Sequence, residues 1–163
     1  MGKKEVKIFV SYSHESSKSA LDFVDRLKDK LNPSKNFVFN LWLDRQLEVG
    51  SNWKNSILEK AKCADFGLIL VSTSLLRSKF VIEKELPLFM GENIHKLVPV
   101  LLSDVDFTRN DLMGIDPYQI FRLEHERLNA PRSFAKCKKN RADDFAQHVY
   151  EIFYDKSIGM FEK

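Results

Sequence analysis

Polar clusters follow the apolar runs of this chain, and they hold the residues that could do chemistry. The first is Ser11-Tyr12-Ser13-His14-Glu15-Ser16-Ser17. The second begins with Asp44-Arg45, and the third runs from Ser72 to Ser78. Phe80, Glu83 and Glu85 come next. His14 could act as a general base, but no nucleophile stands at a spacing that would pair with it. Serine and histidine in such a loop serve equally well as local caps. Ser72 and Ser74 could donate to a ligand or cap the helix that follows. Asp44 and Arg45 could line a pocket or simply pair with each other. Trp53 lies on an apolar stripe and reads first as core, and Phe80 reads the same way. On spacing alone, Glu85 and its neighbour Glu83 mark a solvated helix face. The two cysteines, Cys63 and Cys137, form no Cys-x-x-Cys pair or His/Cys cluster, so no metal site is expected.

The elements that must position these residues can be read from periodicity. Val6 to Val10 is β-branched and aromatic, as a strand should be. From Ser17 to Leu31 the spacing turns helical, with Ala20, Leu21, Val24, Leu27 and Leu31 on one face. Asn32-Pro33-Ser34 ends that helix. Phe37 to Leu43 is a second strand, followed by a loop from Asp44 to Asn52 and a helix opening near Trp53, with Ile57, Leu58 and Ala61 inward. Phe66 to Val71 is apolar throughout, which predicts a strand covered on both faces.

A helix is expected from about Lys79 to Met90, bent or shortened by Pro87. Lys96 to Leu102 is the fourth strand, and Pro99 places it near an edge or a bulge. Tyr118 to Arg122 reads as a short fifth strand. Glu124 to Asn140 gives no assignment, and Ala142 to Tyr154 is a final helix with Phe145, Ala146, Val149, Ile152 and Phe153 inward. The alternation predicts a flavodoxin-like three-layer α/β domain with a central parallel five-stranded sheet and helices on both faces. It would cover residues 1–155, with 156–163 as a tail. Its site should lie outside the carboxyl ends of the strands.

Other doubly wound domains make demands that this chain does not meet. A dinucleotide-binding half needs a Gly-x-Gly-x-x-Gly loop after the first strand, and that loop has no glycine here. A receiver needs clustered acids and an acceptor aspartate where this chain has Ser-Tyr-Ser-His and Ser-Thr-Ser. A flavodoxin needs a hydroxyl-rich phosphate loop. Ser11 to Ser19 fits that weakly, and the colour of the purified protein would decide it.

The formal net charge of +3 is too small to argue for nucleic acid. The cluster of Lys136, Lys138, Lys139 and Arg141 reads as a solvated turn. Met1 to Lys7 lacks a signal-peptide core, and the longest apolar runs are too short to span a bilayer. A cytoplasmic protein is expected, with no membrane or direct nucleic-acid partner.

Taken in order, the motifs resemble the TIR (Toll/interleukin-1 receptor) domains, particularly the bacterial type. Ile8-Phe9-Val10-Ser11-Tyr12-Ser13 is similar to the family's opening strand and first box. Leu41-Trp42-Leu43-Asp44 with Gly50 and Trp53 is similar to the second strand, the BB loop and the tryptophan opening the next helix. Ala64 to Ser72 is similar to the third strand, and Ser78 to Leu86 to the Ser-x-aromatic stretch that ends in Glu-Leu. The resemblance runs from about Lys4 to Leu102, and more loosely to Tyr154. Some members carry Trp where this chain has Val81, whereas bacterial members more often place the aromatic one position earlier, as Phe80 stands here.

The resemblance implies an activity. Many TIR domains cleave NAD+ with a glutamate of the fourth box, which is Glu85 here. One carboxylate would suffice for that chemistry. Most glycosidases must protonate a departing alkoxide, whereas a pyridinium leaves as neutral nicotinamide. What needs stabilising is the oxocarbenium-like ribose, and a carboxylate against its hydroxyls does this electrostatically. The other residues implied for substrate binding are Tyr12 and Ser13 toward the phosphates or adenine, Asp44 and Arg45 toward nicotinamide, and Trp53, Ser72 and Phe80. NAD+ would be a substrate, with no cofactor, and the product would be ADP-ribose or a cyclic isomer. Immune or anti-phage defence or cell-death signalling is the implied setting.

The family also implies activation by self-association through the BB loop (44–53), in head-to-tail contacts that build open filaments. A sensor domain or activator outside this chain would then switch it on. The alternative is a non-enzymatic adaptor that works only through TIR–TIR contacts of the same loop.

Overall fold

The computed structural model describes residues 2–43, 53–125 and 130–162. Strand β1 (Lys4–Ser11) leads through a single 3₁₀ turn (His14–Ser16) into helix α1 (Ser17–Leu31), then β2 (Phe37–Leu43), α2 (Trp53–Cys63) and β3 (Phe66–Val71). A one-turn helix α3 (Thr73–Leu76) and an irregular helical segment to Lys96 precede β4 (Leu97–Leu101). A short hairpin, β5 (Leu123–His125) and β6 (Ala130–Arg132), and the long helix α4 (Lys139–Phe161) complete the chain.

The sheet order is β2-β1-β3-β4, all parallel. The order reverses between β1 and β3, so the crevice at the carboxyl ends of these two strands is where a doubly wound sheet opens to a ligand. Side chains alternate between two cores, as a period of two requires. Val6, Ile8 and Val10 of β1 and Phe66, Leu68 and Leu70 of β3 face α1 and α4. Phe9, Ile69 and Val71 face α2, α3 and the segment 81–89. Every residue of β3 is buried, which is why its sequence carries no polar position.

One expectation about the sheet is modified, and one about the final helix. The fifth strand expected over Tyr118–Arg122 is absent among the described residues, where the sheet has four strands. Pro117 opens a 3₁₀ turn capped by Asp116, whose carboxylate accepts from the Tyr118 amide at 2.9 Å. That turn spends the residues a strand would need. Only Phe121 aligns with β4, donating to Pro99 O at 2.9 Å and accepting from Leu101 N at 2.8 Å. Pro99 thus has its missing N–H on the outer side of the last full strand, as expected of an edge proline. The final helix extends beyond the expected end at Tyr154, to Phe161. Ser157 is buried on it, and Ile158, Met160 and Phe161 pack on the core.

The helix expected over Lys79–Met90 forms, but not as an α-helix. Val81–Glu85 is a π turn, closed by Leu86 N–H to Val81 C=O, and Leu86–Phe89 is 3₁₀. In an α-helix the Pro87 ring would strike the Glu83 carbonyl and donate nothing to it. The wider turn followed by the tighter one passes the proline without that clash. Among the described residues, no helix is long and apolar enough to cross a membrane.

Candidate active site

Only one of the two glutamates is buried. Val81 and Glu85 face inward while Glu83 and Lys84 are exposed. Glu85 is 0% exposed, so it is not the solvated helix residue that its spacing suggests. The Ser11 hydroxyl donates to Glu85 Oε1 at 2.6 Å across 74 residues of sequence. Ser11 is itself 0% exposed and is the last residue of β1. A carboxylate taken out of water is costly unless hydrogen-bonded, and a hydroxyl donor at this distance meets that need for Oε1 alone.

A cleft of about 290 Å³ is lined by Tyr12, Ser13, His14, Glu15, Ser74, Arg77, Ser78, Phe80 and Val81. The chain neighbours of Ser11 and the residue one π turn before Glu85 therefore form its walls. Tyr12 is buried with its ring 6.1 Å from that of His14. Ser13 accepts from the Glu15 amide at 3.3 Å and so caps the 3₁₀ turn. The loops after β1 and β3 are tied together by Ser16 Oγ to Ser74 Oγ at 3.2 Å and by the Arg77–Glu15 ion pair. A larger hollow of about 440 Å³ runs over the β2 edge between Asp25, Lys28, Trp42 and Lys60, and includes none of these residues.

The structure thus brings Tyr12, Ser13 and Phe80 together in one cleft, while Glu85 is buried and is not among the residues that line it. Asp44 and Arg45 lie outside the described residues. Trp53 is the first residue of α2, and its side chain lies outside them too. Ser72 is 1% exposed and its hydroxyl accepts from the Leu75 amide at 3.1 Å, so it caps α3 inside what reads in sequence as a polar loop. Ser72→Ala should cost about 1 kcal/mol of stability, as lost N-caps do. Thermal denaturation measures that. A change in ligand affinity without loss of stability would instead make Ser72 a ligand contact. Sequence reasoning did not single out Ser11, Arg77 or Ser78 as site residues. The strand-end rule points to Ser11, but nothing in the sequence pairs it with Glu85.

The TIR domain family matches residues 8–136, the span that carries the second half of β1, the cleft and the π turn. The chain belongs to the TIR domain family. No curated protein and no solved structure matches it. Membership replaces the flavodoxin alternative and aligns with the fold, since the parallel sheet and flanking helices of this TIR domain supply the strand-end crevice.

Proposed function

We propose that this TIR domain cleaves NAD+ at the nicotinamide–ribose bond, with Glu85 stabilising the ribosyl cation. The observation that carries the reading is a fully buried glutamate held by Ser11 at the carboxyl end of β1, where the next residues, Tyr12 and Ser13, line a cleft. A glutamate serving solubility alone would stay in water. One buried at the end of a central strand needs another reason to be there, and a reaction that develops positive charge supplies one. The C1′–N bond breaks with its electron pair going to nicotinamide, which leaves neutral. Water then adds to C1′ and releases a proton to give ADP-ribose, or a group of the substrate itself adds to give a cyclic isomer. Tyr12 and Ser13 would receive the phosphates or adenine, and Phe80 would offer a ring to nicotinamide. Asp44, Arg45 and Trp53 would close the nicotinamide side, and Ser72 would hold α3 in place beneath the cleft.

Glu85 is closed from solvent in the single chain, which fits a site opened by association of copies through the 44–53 loop. Turnover per molecule should therefore rise with protein concentration. Nicotinamide release followed by chromatography over a wide concentration range measures this, and a constant specific activity would sink self-activation. Defence or cell-death signalling is the setting such consumption of NAD+ would serve. If no nicotinamide is released at any concentration while copies still associate, the domain is an adaptor.

A further inference from the structure

The cleft has one feature that the cleavage chemistry leaves unused. Arg77, which ends α3, and Glu15, in the 3₁₀ turn after β1, form an ion pair joining the two loops that bound the cleft. Both line the cleft, and their side chains are 62% and 66% exposed. Apart from these two, the described lining consists of hydroxyls, one histidine, two aromatic residues and Val81. Arg77 is thus the permanent cation among the described lining residues, and Glu15 occupies it from outside.

We propose that Arg77 binds the diphosphate of the dinucleotide, and that Glu15 holds its guanidinium in the free protein and releases it when substrate enters. This rests on the NAD+ reading above for the identity of the ligand. A guanidinium presents a planar fork of donors that matches phosphate oxygens two at a time. An exposed Arg–Glu pair is weak, so a doubly charged diphosphate displaces the single carboxylate readily. Ser13, Ser74 and Ser78 stand along the same cleft, with hydroxyls able to donate to the remaining oxygens. Glu15 also sets a threshold, because a ligand without a dianionic centre has nothing with which to replace it.

The test compares wild type, Arg77→Ala, Arg77→Lys and Glu15→Gln in NAD+ turnover, and in calorimetric binding of ADP and of adenosine. Arg77→Ala should raise KM for NAD+ roughly ten- to a hundredfold, the loss of one charge-assisted contact, with kcat little changed. ADP binding should weaken by the same factor, while adenosine binding stays as in wild type. Arg77→Lys should fall between, keeping the charge but not the fork. Glu15→Gln should lower KM about two- to fivefold by removing the competitor. Unchanged KM and unchanged ADP affinity in Arg77→Ala would overturn the proposal and leave NAD+ cleavage standing. Arg77-dependent ADP binding in a wild type that releases no nicotinamide would uphold the diphosphate site and overturn the cleavage. A wild type that binds no ADP overturns the site outright.

Discussion

Glu85→Gln is expected to leave the domain folded and to cut nicotinamide release by about a hundredfold or more. The expected size follows from what removal of one electrostatic stabiliser costs other enzymes, roughly 10²–10³ in kcat. Glutamine keeps the shape and an oxygen that can accept from Ser11, so the 2.6 Å contact has a replacement. It loses the charge that would face the ribosyl cation. Glu85→Ala is the harsher change, since it leaves the buried Ser11 hydroxyl without its acceptor and opens a void at a fully buried position. The glutamine variant therefore separates chemistry from folding. Its melting temperature should stay close to wild type while its turnover disappears. Full turnover in folded Glu85→Gln would remove Glu85 from the reaction.

The second large effect is on stability. A Cβ at Gly67 would lie 2.5 Å from Cδ2 of Phe89 and 2.6 Å from its Cγ, well inside any real contact. Gly67 pairs in register with Phe9 on β1, and the Phe89 ring stacks near that of Phe9 with centroids 6.3 Å apart. The ring thus covers the bare backbone of a central strand. Gly67→Ala must push Phe89 off the sheet, at about 2–3 kcal/mol by the measure of overpacked cores. For a domain of this size that is a drop of roughly 5–10 °C in Tm. Phe89 ends the segment that carries Glu85, so turnover should fall with it. Gly67→Ala combined with Phe89→Leu should recover part of the lost stability, because the smaller side chain yields the space. An unchanged Tm in Gly67→Ala would contradict the close approach.

Much of this fold was legible because its elements satisfy local rules. The limits of α1 and β2 follow from a change of period and from Asn32-Pro33, and both elements stand where those signals put them. The apolar run Phe66–Val71 announced a strand buried on both faces. Phe23 was missed on the buried face of α1, where it meets Phe134 and Phe145 edge-on. Its role depends on a partner more than a hundred residues away. The hairpin of β5 and β6 was unreadable for a related reason: strands of three residues carry too little periodicity to register.

By itself the sequence determined the order of the elements through the fourth strand, the parallel sheet, the location of the polar loops at its carboxyl ends, and the family. Those features rest on spacing within a few residues, which the chain displays directly. The resemblance pointed to Glu85 through its Glu-Leu ending, but only the tertiary structure showed that Glu85 is buried and Glu83 exposed. Glu85 lies with Val81 on the inner face of the segment ahead of Pro87, and the sheet brings Ser11 to meet it. The same holds for Arg77 and Glu15, unremarkable as single charges and joined only because β1 and β3 lie side by side. A buried hydrogen bond or an ion pair across a cleft is a relation between distant segments, and only packing creates it.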